Sequence, residues 1–449
     1  MPNPRAPANS DTIVAIATAP GIGAVGIVRL SGPQTREIAR VMLGDLPPPR
    51  RAHLARFRAA DGEAIDHGLA LFFPAPHSFT GEDVLELQGH GGPVVLDLVV
   101  ARALALGARL ARPGEFSERA FLNGKLDLVQ AEAIADLIES ASTAAARSAM
   151  RALEGDFSRA LRAVGEALIE ARLHVEAAID FPEEEIDFLA DGALRARVDA
   201  LAARLTELTR LGEQGRLLRE GFNVMLVGRP NVGKSSLLNR LAAYEAAIVS
   251  PMPGTTRDVL RERVLLDGVP LHVVDTAGLR DTDEPVEREG VARARAALAR
   301  TDLALVLFDD PAQIPLLLAE LPAQLAFVLV RNKIDLSGVP PGRSSGPYGE
   351  EIALSALSGA GLDALRARLQ AVAGVQADAG AFIARRRQLD ALMRAHVHVQ
   401  NARAQLDARR GELMAEELRL AQRALGEITG EFTADDLLGR IFASFCIGK

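Results

Sequence analysis

The chain has 449 residues, of which 48% are hydrophobic and 24% charged, and its net charge is -8. This length suits two to four domains, and the composition excludes intrinsic disorder as the main state. An acidic chain is not held on nucleic acid by bulk charge alone. The apolar stretches are far shorter than the ~20 residues of a membrane span, and the start lacks a signal peptide's apolar region. With a single cysteine, Cys446, and hence no internal disulfide, we expect a cytoplasmic protein.

Composition and periodicity divide the chain into four regions, 1–120, 121–216, 217–373 and 374–449. The first alternates short β-rich runs with turns and predicts a small α/β domain. The second and fourth carry apolar residues at helical spacing and predict long amphipathic helices. The third alternates strands and helices as in a doubly wound sheet. The predicted fold is α/β, with one α/β domain inserted into a helical domain and a smaller α/β domain before it.

A phosphate-binding loop is predicted by residues 228–235, which match the pattern G-x-x-x-x-G-K-[ST]. The segment follows a strand-like run, 222–227, and precedes a helical run, as this motif requires. Backbone N–H groups would surround the β-phosphate, Lys234 would reach the β and γ oxygens, and Ser235 would bind Mg²⁺. The predicted nucleotide contacts in this loop are Asn231, Val232, Gly233, Lys234, Ser235 and Ser236.

Two later motifs identify the nucleotide. The first begins with an aspartate after a strand-like run, where it can lie beside Mg²⁺ with a glycine N–H near the γ-phosphate. The second places an aspartate where it can accept hydrogen bonds from N1–H and the 2-amino group of guanine, which adenine does not offer. We therefore predict GTP. The predicted contacts are Asp275, Thr276, Ala277, Gly278, Asn332, Lys333, Ile334 and Asp335, with a weaker motif at Ser355, Ala356 and Leu357.

The catalytic region differs from that of Ras-like GTPases. Leu279 stands where those enzymes carry the glutamine that orients the attacking water, and leucine cannot do this. Between the phosphate-binding loop and this leucine, residues 254–258 offer Thr256 as a second Mg²⁺ ligand on a mobile switch. We interpret Arg257 as a solvated switch residue, with an arginine finger as the alternative.

Five sequence segments together resemble a known family. Asn-Val-Gly-Lys-Ser at 231–235, paired with Gly-Thr-Thr-Arg-Asp at 254–258, resembles the TrmE–Era–EngA class of GTPases. Residues 79–92, residues 112–121 and the terminal Cys-Ile-Gly-Lys at 446–449 are similar to the tRNA modification GTPase MnmE (TrmE) family within that class. The similarity covers essentially the whole chain, including the insertion of the G domain into the helical domain.

The resemblance implies a function that the residues alone do not. Family members are potassium-activated GTPases that work with an FAD-dependent partner, MnmG. They add an aminomethyl or carboxymethylaminomethyl group to carbon 5 of the wobble uridine of certain tRNAs. The carbon comes from 5,10-methylenetetrahydrofolate, for which 5-formyltetrahydrofolate is a bound analogue. The folate-binding N-terminal domain also forms a homodimer, which assembles with MnmG into a heterotetramer.

The resemblance also assigns roles to individual residues. Glu287 would orient the attacking water through a second water and so compensate for Leu279. Cys446 matches a terminal cysteine near the folate site, and is either catalytic or a buried structural thiol. The folate-binding residues would be Arg29, Glu86, Lys125 and Lys449. The K⁺ ligands would be Asn231 of the phosphate-binding loop and Ser250, Met252 and Thr255 of a second loop. The other GTP contacts of that second loop would be Pro251, Pro253, Gly254 and Thr256.

Two further patterns have alternative interpretations. Residues 21–26 fit G-x-G-x-x-G, but a strand-like run rather than a helix follows, so we predict a turn between strands. The segment 385–410 holds seven arginines and two aspartates, and is either a contact surface for tRNA phosphates or a solvated helix face. The alternative function within the class is a ribosome-assembly GTPase of the Era or EngA kind. Such a switch would carry a KH-like domain or a second phosphate-binding loop, and neither is evident in the sequence.

Overall fold

The computed structural model describes residues 11–180, 192–244, 261–266, 269–275, 301–373, 382–432, 435–446 and 448. The chain forms two compact units. The first unit comprises Met1–Ala135, Ala152–Ala203 and Ala391–Lys449, and the second comprises Asp136–Arg151 and Arg204–Asp390. Within the described ranges, no helix is both long and apolar enough to cross a bilayer.

The first unit contains a six-stranded sheet in the order β3-β4-β5-β2-β1-β6, antiparallel except for the β1–β6 pair. Its strands are β1 Ile13–Ile16, β2 Gly23–Ser31, β3 His53–Arg58, β4 Ala64–Phe73, β5 Val84–Gly91 and β6 Arg109–Leu110. The helices of this region are α1 Thr35–Leu43, α2 Pro93–Ala105 and α3 Glu115–Leu122. Alternate strand residues, such as Val28, Leu30 and Leu85, are buried with α1 and α2 in one core. Because side chains alternate along a strand, the residues between them face the other side of the sheet.

Of the glycines at 21–26, Gly26 is required by close packing. Strand β2 already begins at Gly23, so the predicted turn is confined to the residues before it. The pairing of β2 with β5 is irregular between Gly23 and Gly26. A Cβ atom at Gly26 would lie 2.6 Å from a methyl group of Leu96 in α2. A strand, not a helix, follows these glycines, as expected.

Long helices follow the first sheet in sequence: α4 Leu128–Glu139, α5 Thr143–Leu153, α6 Asp156–Asp180 and α7 Gly192–Glu220. In the first unit, α6 packs against a later helix, Gly411–Thr429. Leu161, Val164 and Leu168 lie along the buried stripe of α6. This three- and four-residue spacing is that of an amphipathic helix and explains why the sequence predicts one here.

The second unit contains a seven-stranded sheet in the order β12-β13-β11-β10-β7-β9-β8, in which the five inner strands are parallel and the two edges antiparallel. Its strands are β7 Phe222–Val227, β8 Arg261–Leu266, β9 Val269–Asp275, β10 Leu303–Phe308, β11 Phe327–Arg331, β12 Gly342–Gly346 and β13 Gly349–Ala353. The central strand β10 is buried at every residue. Its continuous apolar run is typical of a parallel strand that is covered on both faces.

The helices of this region are α8 Lys234–Tyr244, α9 Ile314–Ala319, α10 Ile334–Ser337 and α11 Leu362–Ala373. The chain then continues through α12 Arg386–Asp407, α13 Gly411–Thr429 and α14 Asp435–Ala443. Leu418, Ala421, Leu425 and Ile428 are all buried on α13. The predicted fold class, an α/β nucleotide-binding domain with a smaller α/β domain and long helices, is therefore confirmed.

Candidate functional site

The phosphate-binding loop joins β7 to α8. It leaves the sheet after Val227, and α8 begins at Lys234. Asn231 and Gly233 have positive φ angles of 63° and 101°, so the loop turns sharply at both positions. A Cβ atom at Gly233 would collide with the side-chain nitrogen of Asn332, which explains why glycine is required there. The Lys234 Nζ donates a hydrogen bond to the Gly228 carbonyl at 2.8 Å, so its ammonium group lies against the turn.

The hydroxyl groups predicted to face the metal lie at the start of α8. Ser235 and Ser236 are exposed in its first turn, where unpaired N–H groups and the helix dipole favour an anion. Asp275 is the last residue of β9 and pairs in register with Leu226 of β7. The backbone of Asp275 thus reaches the sheet edge from which the phosphate loop starts, whereas its side chain is not among the described groups.

Several predicted site residues lie outside the described residues: Ser250, Pro251, Met252, Pro253, Gly254, Thr255, Thr256, Thr276, Ala277, Gly278, Glu287 and Lys449. Of the predicted K⁺ ligands, only Asn231 is described, and it is exposed. Among the described residues there is no group of three or more His, Cys, Asp or Glu that could hold a metal ion. Predicted Mg²⁺ ligands such as the Ser235 hydroxyl are not of those types. The predicted Mg²⁺ site therefore does not depend on such a group.

Asn332 connects the phosphate loop to the predicted guanine site. Its side chain is buried, with only 3% of the residue exposed. The amide nitrogen donates a hydrogen bond to the Val232 carbonyl at 2.8 Å, while the amide oxygen accepts one from the Ala356 N–H at 2.9 Å. One side chain therefore holds two loops that are far apart in sequence at a fixed distance. The motif predicts this asparagine, but its linking role becomes visible only in the structure.

The remaining guanine-site residues surround this link. Lys333 has a φ of 61°, and its Nζ lies 2.8 Å from an Asp309 carboxylate oxygen. That hydrogen bond lowers the pKa of Asp309 against the opposing effect of burial. Ile334 is buried and Asp335 is exposed at the start of α10. Because Phe308, Arg331 and Ala353 pair in register, three strand ends meet here, which is where open α/β sheets bind ligands.

A second predicted site lies on the first sheet, opposite the core formed with α1 and α2. Arg29 and Glu86 pair in register on β2 and β5, and Arg29 Nε donates to Glu86 Oε1 at 2.9 Å. The same guanidinium donates to the Gly448 carbonyl at 3.3 Å and lies 5.8 Å from the ring centre of Phe79. The structure thus brings Arg29, Glu86 and the chain end together.

Lys125 and Cys446 complete the described part of this prediction. Lys125 is exposed, and its Nζ donates to the Pro76 carbonyl at 3.0 Å rather than to the Arg29–Glu86 pair. Cys446 is exposed, so the alternative of a buried structural thiol is wrong. The Gly114 N–H donates to the Cys446 carbonyl at 3.3 Å, so the backbone rather than the thiol is what docks the chain end.

A buried ion network in the first unit was not predicted. The Arg119 side chain is only 1% exposed, and its guanidinium lies 2.8 Å from Asp11, 3.1 Å from Glu82 and 3.2 Å from Glu115. Arg109 also pairs with Asp11 and Glu115. Burial raises the pKa of Glu115, but hydrogen bonds from Arg109, Arg112 and Arg119 outweigh it and hold the pKa below its usual value of 4.5. Charges at five separate positions gave no local sequence signal for this network.

Three of the seven arginines in segment 385–410 lie in ion pairs. Arg385 lies 3.0 Å from Asp136, Arg394 lies 2.6 Å from Glu427 and Arg403 lies 3.1 Å from Asp199. A guanidinium that already has a carboxylate partner must give it up to bind phosphate. These pairs favour the solvated, ion-paired helix over a phosphate-binding surface.

A parallel sheet with a Gly-Lys-Ser loop and an Asn-Lys-x-Asp motif at its carboxyl edge defines a P-loop nucleotide-binding protein of the GTPase class. Two family models cover the chain: one described as the MnmE helical domain matches residues 128–446, and one described as the GTP-binding protein TrmE N-terminus matches residues 12–125. The chain belongs to the tRNA modification GTPase MnmE family, and the resemblance seen in its motifs is confirmed.

Two relatives show how far the similarity extends. The tRNA modification GTPases MnmE of Chromohalobacter salexigens and of Stutzerimonas stutzeri are each 58% identical to this chain over 98% of its length, covering 98% and 99% of their own. Among solved structures, the G domain of the T. maritima FeoB iron transporter is 24% identical, covers 34% of this chain and 98% of its own, and has a TM-score of 0.24.

Proposed function

We propose that this chain hydrolyses GTP and, with an FAD-dependent MnmG partner, adds an aminomethyl or carboxymethylaminomethyl group to carbon 5 of the wobble uridine of certain tRNAs. The observation that carries the proposal is the second site, where Arg29 and Glu86 meet the chain end beside an aromatic ring. A ribosome-assembly switch of the Era or EngA kind needs only the nucleotide site. A separate charged and aromatic site fits a protein that also handles a small reactant.

The nucleotide site would act mainly through backbone and cations. Loop amides and Lys234 hold the phosphates, while Asp335 accepts hydrogen bonds from guanine. Mg²⁺ would be held by Ser235 and Thr256 beside Asp275, and K⁺ by Asn231 with Ser250, Met252 and Thr255. Such oxygen-rich ligands suit hard cations, and the ions would stabilise the negative charge that develops on the phosphates. Glu287 would orient the attacking water.

The residues of the second site fit a tetrahydrofolate. The Phe79 ring is 37% exposed and offers a flat apolar surface for a pterin. The Glu86 carboxylate suits the amino and N–H groups of the pterin, with Arg29 fixing its position. The exposed Lys125 and Lys449 suit the glutamate carboxylates. The folate would supply the one-carbon unit, and Cys446, exposed beside the chain end, would take part in the chemistry.

The assembly follows from the same division of roles. Residues 1–120 would bind folate and form the homodimer, residues 217–373 would form the G domain, and residues 121–216 and 374–449 would form the helical domain. Two copies of the chain would associate with MnmG as a heterotetramer that acts on tRNA.

Mass spectrometry of tRNA nucleosides tests the proposal directly. Cells without this gene should lose the 5-aminomethyl or 5-carboxymethylaminomethyl uridines and regain them when the gene is restored. Unchanged nucleosides together with altered ribosomal subunit profiles would instead support the assembly-switch alternative.

One turnover test and one binding test, both on the purified full chain, address the two sites separately. GTP turnover should be faster in potassium than in sodium salt, and equal rates would exclude the K⁺ site. For the folate site, Arg29→Gln should weaken binding of 5-formyltetrahydrofolate about tenfold or more, because Glu86 loses its positioning partner. Arg36→Gln is the matched control, since Arg36 forms a similar pair with Asp83 elsewhere on the same domain.

A further inference from the structure

Arg240 lies on α8, beyond the phosphate-loop motif, and contacts the loop 355–357. Its Nε donates a hydrogen bond to the Ala356 carbonyl at 3.3 Å, and its terminal nitrogen donates to the Leu357 carbonyl. The side chain is half-buried between helix and loop. We propose that Arg240 is a positioning residue that sets the guanine specificity of this GTPase by orienting the Leu357 N–H toward the guanine O6. This inference rests on the guanine site proposed above.

Peptide geometry converts these contacts into an orientation. A trans peptide is planar, so the carbonyl of Ala356 and the N–H of Leu357 point in opposite directions. With the carbonyl held by Arg240, the N–H of Leu357 points away from α8. In the part of the chain that the structure describes, this N–H has no hydrogen-bond partner. The Ala356 N–H, by contrast, is already taken by the Asn332 side chain.

The loop needs such a support because its own side chains supply little. Leu357 is 76% exposed, so packing does not anchor it. Ser355 is buried, and its hydroxyl accepts a hydrogen bond from the Ser358 N–H at 3.2 Å, while its backbone bonds to Gly359 and Ala360. These contacts close the turn, but none of them involves the peptide between Ala356 and Leu357. Asn332 fixes one side of the loop to the phosphate loop, and Arg240 fixes the other side to α8. The exposed donor between these two anchors suits O6, which accepts a hydrogen bond in guanine and is absent from adenine.

Binding of two nucleotides by Arg240→Gln in the full-length protein tests this role. The first is GDP, and the second is 2-aminopurine riboside diphosphate, which keeps the 2-amino group but lacks O6. Arg240→Gln should weaken the binding of GDP about tenfold and leave the affinity for the analogue unchanged within about twofold, because the lost contact involves O6 alone. Arg240→Lys keeps one donor and should recover part of the loss. With saturating GTP, kcat should stay within about twofold.

Two comparisons separate the possible outcomes. Arg343→Gln is the matched control, because Arg343 also donates a hydrogen bond to a carbonyl, that of Ala364. This variant should bind both nucleotides as tightly as the parent protein does. If Arg240→Gln weakens both nucleotides equally, or neither, the proposed role for Arg240 is overturned. Asp335→Asn should shift preference from GDP to xanthosine diphosphate, whose 2-oxo group accepts from the new amide. Failure of that shift would overturn the guanine site itself.

Discussion

The two sheets of this molecule prepare their edges for ligands in opposite ways. In the second unit, hydrogen bonds of the neutral Asn332 amide join the phosphate loop to the loop 355–357, and the ion pair of this edge, Lys333 with Asp309, does not involve the phosphate loop. In the first unit, the charged groups are already paired with each other, as in Arg29 with Glu86. A phosphate loop can therefore bind an anion without first breaking an ion pair.

This difference has an energetic consequence. Charges taken from water are tolerated only when they are paired and hydrogen-bonded, so each partner in the first unit depends on the others. Neutral links between loops cost less to lose, but they control where donors point. We therefore expect variants in the buried Arg119 network of the first unit to act mainly on stability, and variants at the nucleotide edge to act mainly on binding.

The largest effect is expected from Arg119→Met. The substitution removes one of the three guanidinium partners of Glu115, whose side chain is 2% exposed. It also removes the Arg119 partner of Glu82 and of Asp11. Breaking a buried ion network in this way costs about 3–5 kcal/mol. Hydrogen exchange followed by mass spectrometry should show faster exchange in peptides from β5 and α3. Arg112→Met is the control, because Arg112 is 62% exposed and its pairs should contribute little.

Acid should weaken the same network. Burial acts to raise the pKa values of Asp11 and Glu115, but their arginine partners outweigh this effect. They hold the pKa of Asp11 below its usual value of 3.8 and that of Glu115 below its usual value of 4.5. A carboxylate with a lowered folded-state pKa stabilises the fold above its unfolded value, and this contribution is lost as the pH falls through the folded value. Urea unfolding midpoints should thus change little from pH 7 to about 5 and fall below pH 4.5. In Arg119→Met that fall should be shallower, and an equally steep one would contradict this explanation.

Asp136 provides a test in the second unit, where a charged link does exist. Its side chain is 2% exposed and lies 2.7 Å from Arg219 Nε, at the end of α7, and 3.0 Å from Arg385. These arginines lie shortly before β7 and just before α12, so one carboxylate joins the segments that enter and leave the nucleotide-binding sheet. Because both arginines are partly exposed, we expect Asp136→Asn to destabilise this unit by roughly 2 kcal/mol. Calorimetry of the full chain should show a lower midpoint temperature for one unfolding transition, and the affinity for GDP should be nearly unchanged.

Features that short segments determine are predictable from the sequence. The apolar run Leu303–Phe308 predicts its strand to the residue, and the Gly-Lys-Ser motif places α8 within two residues of its true start. The sequence did not predict edge strand β8, in which the alternation of polar and apolar residues is weak. It also did not predict the Arg119 network, whose members come from five places in the chain. Asp136 resembles any helical aspartate until its partners, 83 and 249 residues away, are known. Long-range pairing of charges leaves no periodic pattern to detect.

A smaller effect on stability, and a larger one on binding, is expected from Asn332→Ala. The variant leaves the Val232 carbonyl and the Ala356 N–H without their shared partner, at a cost of about 1–2 kcal/mol. Because the two loops are then free to separate, GDP affinity should fall about tenfold or more. Fluorescence titration with a labelled GDP measures this, with Asn239→Ala, an exposed position on α8, as control. An affinity that stays at the parent value would show that the guanine site does not depend on this link.

The smallest structural effect is expected from Cys446→Ser, which is why it isolates chemistry. The thiol is exposed, and the contact that docks the chain end is made by the Cys446 carbonyl, which serine retains. The unfolding temperature and GTP turnover should therefore match those of the parent protein. If the thiol takes part in uridine modification, as proposed, nucleoside analysis of complemented cells should show the modified uridines lost. A variant that restores these uridines fully would leave Cys446 without a catalytic role and direct attention to the Arg29–Glu86 pair beside it.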